Sequence, residues 1–158
     1  MKKYLYKFFI IIFLLLIAIT LPSRTYSENG NKAPDFTLES IDGKSITLKE
    51  ALDGKKVLLI FWSTWCPYCV KEVPHVEKFH IENSDKVNVI GINAGESKAK
   101  VSRFVQKKGM TYKVALDKDG SVAKSYKVVG IPMLIVIDKD GSILSKGHSM
   151  EEVAGALK

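Results

Sequence analysis

Two cysteines dominate the chemistry that this 158-residue sequence can perform. They are the only cysteines in the chain, and they stand two residues apart in the run Trp65-Cys66-Pro67-Tyr68-Cys69. Thiols at this spacing can form a disulfide that exchanges with other thiols. A purely structural disulfide is less consistent with the spacing, because closing so small a loop adds little stability through chain entropy.

The flanking sequence predicts a strand before the cysteines and a helix after them. Residues 57–62 are a short apolar run, typical of a buried strand. The apolar stripe expected of a helix follows, in Val70, Val73, Val76 and Phe79. Cys66 would lie at the helix N-terminus, where unpaired N–H groups and the helix dipole stabilise a thiolate. We expect Cys66 to be the exposed, attacking thiol and Cys69, one turn later, to be the resolving thiol.

The rest of the chain predicts alternating strands and helices. Apolar patterns and turn residues place strands at residues 33–38, 45–48, 87–93, 114–116, 133–137 and 142–144. Helices are predicted at residues 49–52, 97–108, 121–126 and 150–157. This order predicts an α/β sandwich, with helices on both faces of a central mixed sheet.

The first 27 residues have the pattern of an export signal. Basic residues Lys2, Lys3 and Lys7 precede a mostly apolar run at residues 8–21. This pattern is typical of a signal peptide or an uncleaved N-terminal membrane anchor. The basic flank is expected to stay inside, which leaves the domain at residues 28–158 outside the cytoplasm.

The charge distribution gives little support to nucleic-acid binding. The formal net charge is +7, but four basic residues and no acidic residue precede Glu28. From Glu28 onward, 20 basic residues stand against 17 acidic ones. A basic stripe on one predicted helix is expected to be a solvated face: Lys98, Lys100, Arg103, Lys107 and Lys108. No compact basic patch with interleaved aromatic residues is present in the sequence.

Several motifs along residues 33–158 resemble the thioredoxin superfamily. These are the strand, the Trp-Cys-x-x-Cys run, a proline in the following helix, and Gly130-Ile131-Pro132 before an apolar strand. Within the superfamily, the chain is most similar to exported thiol–disulfide oxidoreductases of the TlpA/ResA type. The shared segments are 33–36, 42–44, 72–74 and 93–97. The resemblance implies a thioredoxin-like three-layer sandwich and dithiol–disulfide exchange by Cys66 and Cys69.

The resemblance also implies a third catalytic residue, Glu72. Cytoplasmic thioredoxins carry a buried aspartate in the strand before the cysteines, where this chain has Ile60. ResA-type proteins instead use a glutamate three residues after the second cysteine, and Glu72 matches it. Such a carboxylate could relay the proton of the resolving thiol. The alternative is a solvated acid on the helix surface.

The same resemblance implies a docking surface for substrates. Its members would be Trp65, Pro67, Tyr68, Ile131 and Pro132. A cis peptide bond would precede Pro132, and the backbone of Ile131 would pair with an incoming peptide like an added strand. The alternative is that Pro132 merely begins a strand, where proline is tolerated. Pro67-Tyr68 is more like the dipeptide of glutaredoxins, which leaves the redox poise open.

The resemblance to ResA-type proteins implies protein disulfides as partners, with apocytochrome c as the favoured substrate and a membrane thiol–disulfide protein as the upstream electron donor. No bound cofactor is needed, since the cysteines carry the electrons. Two alternatives remain: a general reductant or oxidant of exported proteins, and a Sco-type copper-delivery module using Cys66, Cys69 and His148. No resident metal site is expected from the three histidines. Peroxidase activity is disfavoured because Leu59 stands where a peroxiredoxin needs proline.

Overall fold

Strand β3, Lys56–Trp62, lies at the centre of the sheet in the computed structural model, which describes residues 31–158. Six consecutive residues of β3, from Val57 onward, are buried. Their side chains alternate between two apolar clusters, one on each face of the sheet. The unbroken apolar run therefore reflects burial on both faces, and the predicted buried strand is confirmed.

The sheet has seven strands in the order β2-β1-β5-β4-β3-β6-β7. Strands β3, β4 and β5 run parallel, and the remaining neighbours pair antiparallel. The other strands are β1 Thr37–Ser40, β2 Ser45–Thr47, β4 Val87–Ala94, β5 Lys113–Asp117, β6 Met133–Ile137 and β7 Ile143–Gly147.

Five helices cover the two faces of the sheet. They are α1 Leu48–Ala51, α2 Pro67–Asn83, α3 Lys98–Lys108, α4 Ser121–Ser125 and α5 Met150–Leu157. The buried residues of α2, α3 and α5 belong to one apolar cluster, and those of α1 and α4 belong to the other. The predicted three-layer thioredoxin-like sandwich is thereby confirmed.

Helix α2 carries the cysteine pair, and its sequence explains where it begins. Cys66 is the N-cap residue and Pro67 occupies the first turn, where its missing N–H costs nothing. The helix continues past Pro74 to Asn83. Because Pro74 has no N–H, the Val70 carbonyl lacks its usual helical donor. Val73 and Val76 are buried against the sheet and fix the face that α2 presents to it.

The strand predicted at residues 33–38 is wrong, since β1 begins only at Thr37. The preceding residues make contacts outside a ladder. The N–H of Ala33 donates to the Gly141 carbonyl at 2.9 Å, and the Pro34 carbonyl accepts from the Tyr126 hydroxyl at 2.7 Å. Pro34 also lacks the N–H that a paired strand would need.

The last strand is longer than predicted. The alternation in the sequence suggested residues 142–144, whereas β7 extends from Ile143 to Gly147. Its added residues pair with β6 as far as Leu134, with an irregularity between Val136 and Ile137. The pairing with the buried strand β6 outweighs the polar character of Ser145 and Lys146.

The predicted signal peptide or membrane anchor at residues 1–27 lies outside the described residues. Within residues 31–158, no helix is both long enough and apolar enough to cross a membrane.

We predict that Gly91→Ala destabilises the fold, because Trp62 packs directly over Gly91 in β4. A Cβ at this position would lie 2.9 Å from Trp62 Nε1 and 3.1 Å from Tyr112 Cε2. Overpacking of this kind lowers the free energy of unfolding by about 1–3 kcal/mol. Urea unfolding of the oxidised protein measures this change.

Gly155→Ala is the matched control, since a Cβ there meets no atom within 4 Å. Gly155 lies inside α5, so alanine should leave the free energy of unfolding unchanged or raise it by up to about 1 kcal/mol. Wild-type stability in Gly91→Ala would contradict the proposed close packing.

Candidate active site

The two cysteines lie where β3 gives way to α2, and they are joined in a disulfide. Their Cα atoms are 5.3 Å apart. The backbone N–H of Cys69 points at the Cys66 sulfur at 3.1 Å. This N–H is one of the first of the helix and has no partner within it. In the reduced protein, the same N–H group and the helix dipole would stabilise negative charge on Cys66.

The predicted exposure of Cys66 concerns the reduced thiol and stays a prediction, whereas this structure shows the buried disulfide. Both cysteine residues are only 3% exposed and belong to the apolar cluster beneath α2. The Ile131 carbonyl oxygen lies 3.6 Å from the Cys66 sulfur and covers it on one side. Two neighbouring aromatic residues are instead prominent at the surface, with Trp65 67% and Tyr68 70% exposed. The disulfide therefore lies just below an aromatic rim.

The loop before β6 reaches the cysteines through Ile131 and Pro132. The peptide bond between them is cis. Pro132 is buried, whereas Ile131 is half-buried. Within residues 31–158, the Ile131 N–H donates to no backbone acceptor. This N–H belongs to the residue whose carbonyl faces Cys66, and it is a group with which an extended peptide could pair.

Glu72 lies on α2 and is half-buried. Its Oε2 accepts a hydrogen bond from the Met150 N–H at 3.0 Å, at the first residue of α5. The carboxylate thus caps a helix N-terminus, where negative charge is favoured. This contact differs from both sequence interpretations, a proton relay and a solvated acid. The proton-transfer role of Glu72 remains a prediction.

Glu96 holds the loop that leads from β3 into the cysteines, a role that the sequence interpretation missed. Its carboxylate accepts from the Thr64 N–H and the Thr64 hydroxyl, each at 2.7 Å. Asn93 Nδ2 donates to it at 2.9 Å, and Lys100 Nζ lies 2.6 Å away. Since Thr64 is two residues before Cys66, these bonds fix the approach to the disulfide. The only sequence signal was the position of Glu96 in the segment at residues 93–97 that resembles ResA.

The hydrogen bonds to the Glu96 carboxylate favour its ionised form. Burial disfavours the ionised form and would raise the pKa of this carboxyl. The donors on Asn93, Lys100 and Thr64 outweigh burial and lower the pKa from 4.5 to about 2. Glu96 therefore stabilises the folded state above the unfolded-state pKa, and this stabilisation is lost as the pH falls toward 2.

The remaining candidate residues have different environments. Trp62 is buried and packs against Phe104, with ring centroids 5.3 Å apart, so it is part of the core. His148 is exposed, and its Nδ1 is 2.7 Å from the Pro132 carbonyl oxygen. Among residues 31–158, no three His, Cys, Asp or Glu side chains are grouped so that they could hold a metal ion.

We predict that Glu96→Gln lowers the free energy of unfolding by about 2 kcal/mol near pH 7, because an amide cannot accept all these donors. The difference in the free energy of unfolding between variant and wild type should shrink toward pH 2. The wild-type carboxylate becomes protonated in that range and, like the glutamine, then carries no charge. Urea unfolding at about pH 7 and about pH 2.5 measures both values.

Glu82→Gln is the control, because Glu82 is exposed and its one polar side-chain contact within residues 31–158 is a 4.0 Å ion pair with Lys78. It should change stability by less than about 0.5 kcal/mol at either pH. A loss in Glu96→Gln that is equal at both pH values would show that the carboxylate charge is not what stabilises the loop.

Comparison with known proteins agrees with this geometry. The Redoxin family model matches residues 28–156. The chain is 39% identical to the thiol-disulfide oxidoreductase ResA of Halalkalibacterium halodurans over 110 residues, which cover 69% of this chain and 62% of that protein. It therefore spans less than two thirds of that relative. Identity to ResA of Bacillus cereus is 36% over 141 residues, covering 84% of this chain and 81% of that protein.

A solved structure supports the same assignment. The thioredoxin domain of a thiol-disulfide oxidoreductase from Bacteroides vulgatus matches with a TM-score of 0.73 and 26% identity. The match covers 81% of this chain and 94% of that chain. With most of its length matched by the family model and its cysteine pair at the end of a central strand, the chain belongs to the Redoxin family.

Proposed function

We propose that this protein is a thiol–disulfide oxidoreductase that reduces protein disulfides outside the cytoplasm. The observation that carries the proposal is the Cys66–Cys69 disulfide at the N-terminus of α2, just below an exposed aromatic rim. The similarity to proteins named thiol-disulfide oxidoreductase ResA supports the same chemistry. The basic and apolar pattern at residues 1–27 supports export.

The exchange proceeds in two balanced steps. In the reduced protein, the Cys66 thiolate attacks one sulfur of a substrate disulfide, which forms a mixed disulfide and releases one substrate thiolate. Cys69, as a thiolate, then attacks the Cys66 sulfur and releases the second substrate thiolate. Two electrons pass to the substrate, and the Cys66–Cys69 disulfide is left behind. Another dithiol must reduce this disulfide before the next cycle.

The docking surface that we propose comprises the five residues implied by the resemblance: Trp65, Pro67, Tyr68, Ile131 and Pro132. Trp65 lies two residues before α2 and Tyr68 lies in its first turn, with exposed fractions of 67% and 70%. Apolar side chains this exposed mark a site for protein contact. The Ile131 N–H, which has no partner within residues 31–158, would give a substrate segment its backbone register, while the surrounding side chains would select its sequence.

Apocytochrome c is the substrate that we propose, with a membrane thiol–disulfide protein as electron donor. In an oxidising compartment, the two cysteines that accept haem form a disulfide and must be reduced again before attachment. The relatives named thiol-disulfide oxidoreductase ResA support disulfide exchange, and the resemblance to ResA-type proteins is the reason that we propose apocytochrome c rather than exported disulfides in general.

We predict that Cys69→Ala traps the substrate on Cys66, because the thiol that resolves the mixed disulfide is removed. The trapped species should include a c-type apocytochrome carrying Cys-x-x-Cys-His, identified by mass spectrometry of the purified mixed disulfide. Cys66→Ala is the matched control and should trap none, since it lacks the attacking thiol.

Loss of the whole protein should lower covalently bound haem, and an added external dithiol should restore it by supplying the same electrons. Haem attachment at the normal level without the protein, combined with trapping of copper-site proteins only, would favour the copper-delivery alternative instead.

We predict that Glu72→Gln changes the pH–rate profile of disulfide exchange and slows the reaction. The glutamine oxygen can still accept from the Met150 N–H, so the helix cap persists while the ionisable group is lost. Stopped-flow exchange across a pH series measures the profile, with Glu82→Gln on the same helix as control. Identical profiles for Glu72→Gln and wild type would leave Glu72 with the capping role alone.

A further inference from the structure

The segment between β7 and α5 reaches the loop that covers the disulfide. His148 is exposed, and its Nδ1 lies 2.7 Å from the carbonyl oxygen of Pro132. The neighbouring Ile131 carbonyl oxygen is the atom 3.6 Å from the Cys66 sulfur. The imidazole of His148 is therefore connected to the disulfide through one dipeptide.

The hydrogen bond defines the tautomer of His148. A carbonyl oxygen can only accept, so Nδ1 must carry the hydrogen and donate it to Pro132. Pro132 has no N–H of its own, which leaves its carbonyl as the only backbone group of that residue that can be held by a hydrogen bond. The bond from His148 is consequently a direct restraint on the orientation of the dipeptide.

His148 is itself held firmly. Its backbone N–H donates to Glu152 Oε2 at 2.7 Å, and the Glu152 N–H donates to the Ser149 hydroxyl at 3.3 Å. This is a variant of the reciprocal cap that fixes the start of a helix. The backbone N–H of Met150, the residue after Ser149, donates to the Glu72 carboxylate on α2 at 3.0 Å. The imidazole therefore projects from a point that is fixed relative to α2.

We propose that His148 is a positioning residue for substrate docking. Its Nδ1–H bond to the Pro132 carbonyl orients the Ile131–Pro132 dipeptide, so that the free Ile131 N–H can pair with the substrate beside Cys66. His148 does not touch the reacting sulfur atoms. Its contribution therefore falls on KM rather than on kcat. This inference rests on the proposed disulfide exchange.

Two substitutions of His148 distinguish the effect of its hydrogen bond from the effect of its aromatic ring. His148→Phe keeps an aromatic ring but has no donor. His148→Asn loses the ring but places an amide nitrogen one bond from Cγ, where His148 carries Nδ1. His75→Phe is the matched control, since it removes an exposed imidazole from α2. Each variant is made in the full-length chain, and its melting temperature is measured alongside its activity.

The assay follows reduction of an oxidised synthetic peptide carrying Cys-x-x-Cys-His by the pre-reduced protein. We expect His148→Phe to raise KM about 3- to 10-fold, the effect of one lost hydrogen bond, with kcat within about twofold of wild type. His148→Asn should restore most of the wild-type KM, and His75→Phe should match wild type. Nitrogen-15 NMR of the wild-type imidazole should show the proton on Nδ1.

The outcomes distinguish this inference from the proposed function. A wild-type chain that does not reduce the peptide overturns the proposed function, and this inference with it. A wild-type KM in His148→Phe, or a changed melting temperature with no change in KM, overturns the positioning role alone. A proton found on Nε2 instead of Nδ1, or no rescue by His148→Asn, also overturns it.

Discussion

Burial of β3 on both faces is the constraint on which the rest of this structure depends. Because each of its side chains must be covered, helices have to lie on both sides of the sheet. The chain leaves β3 at Trp62 and enters α2 within five residues. The disulfide is consequently placed at the edge of the core, with the apolar cluster below it and the exposed side chains of Trp65 and Tyr68 at the surface nearby. It is shielded from solvent and lies close to the surface on which a partner would dock.

Local patterns were sufficient to predict the elements that build the core and the position of the cysteine pair. The apolar run at residues 57–62, the stripe that begins at Val70 and the glycine that ends α3 each follow from one short-range rule. Gly109 illustrates this, because its φ of 66° is the left-handed conformation that ends helices. The segment at residues 33–36 was predicted wrongly by the same short-range rules. Residues 33–36 alternate like a strand, but their partners lie far along the chain and do not form a ladder.

The contacts that hold the site could not be predicted, because they join residues that are distant in sequence. Glu96 reaches Thr64 across 32 positions, and Glu72 reaches Met150 across 78. The sequence showed both as acidic residues on or near helices, with no indication of which backbone N–H each would face. The position of Ile131 beside Cys66 followed only from the family resemblance, since no local pattern in the sequence relates the two residues. The periodicity of the sequence was enough to predict the fold. The contacts around the disulfide depend on tertiary structure, which that periodicity does not show.

Helix α5 connects the two halves of the site, although it contributes no residue to the disulfide. Its first residue is held by Glu72 of the cysteine helix, and His148, two residues earlier, holds the Pro132 carbonyl. A displacement of the start of α5 would therefore act on α2 and on the docking loop together. In a two-step exchange, the attacking sulfur and the docked peptide must keep their relative position until Cys69 attacks. The segment from His148 to Met150 meets this requirement, because it is bonded to the docking loop through His148 and to α2 through Met150.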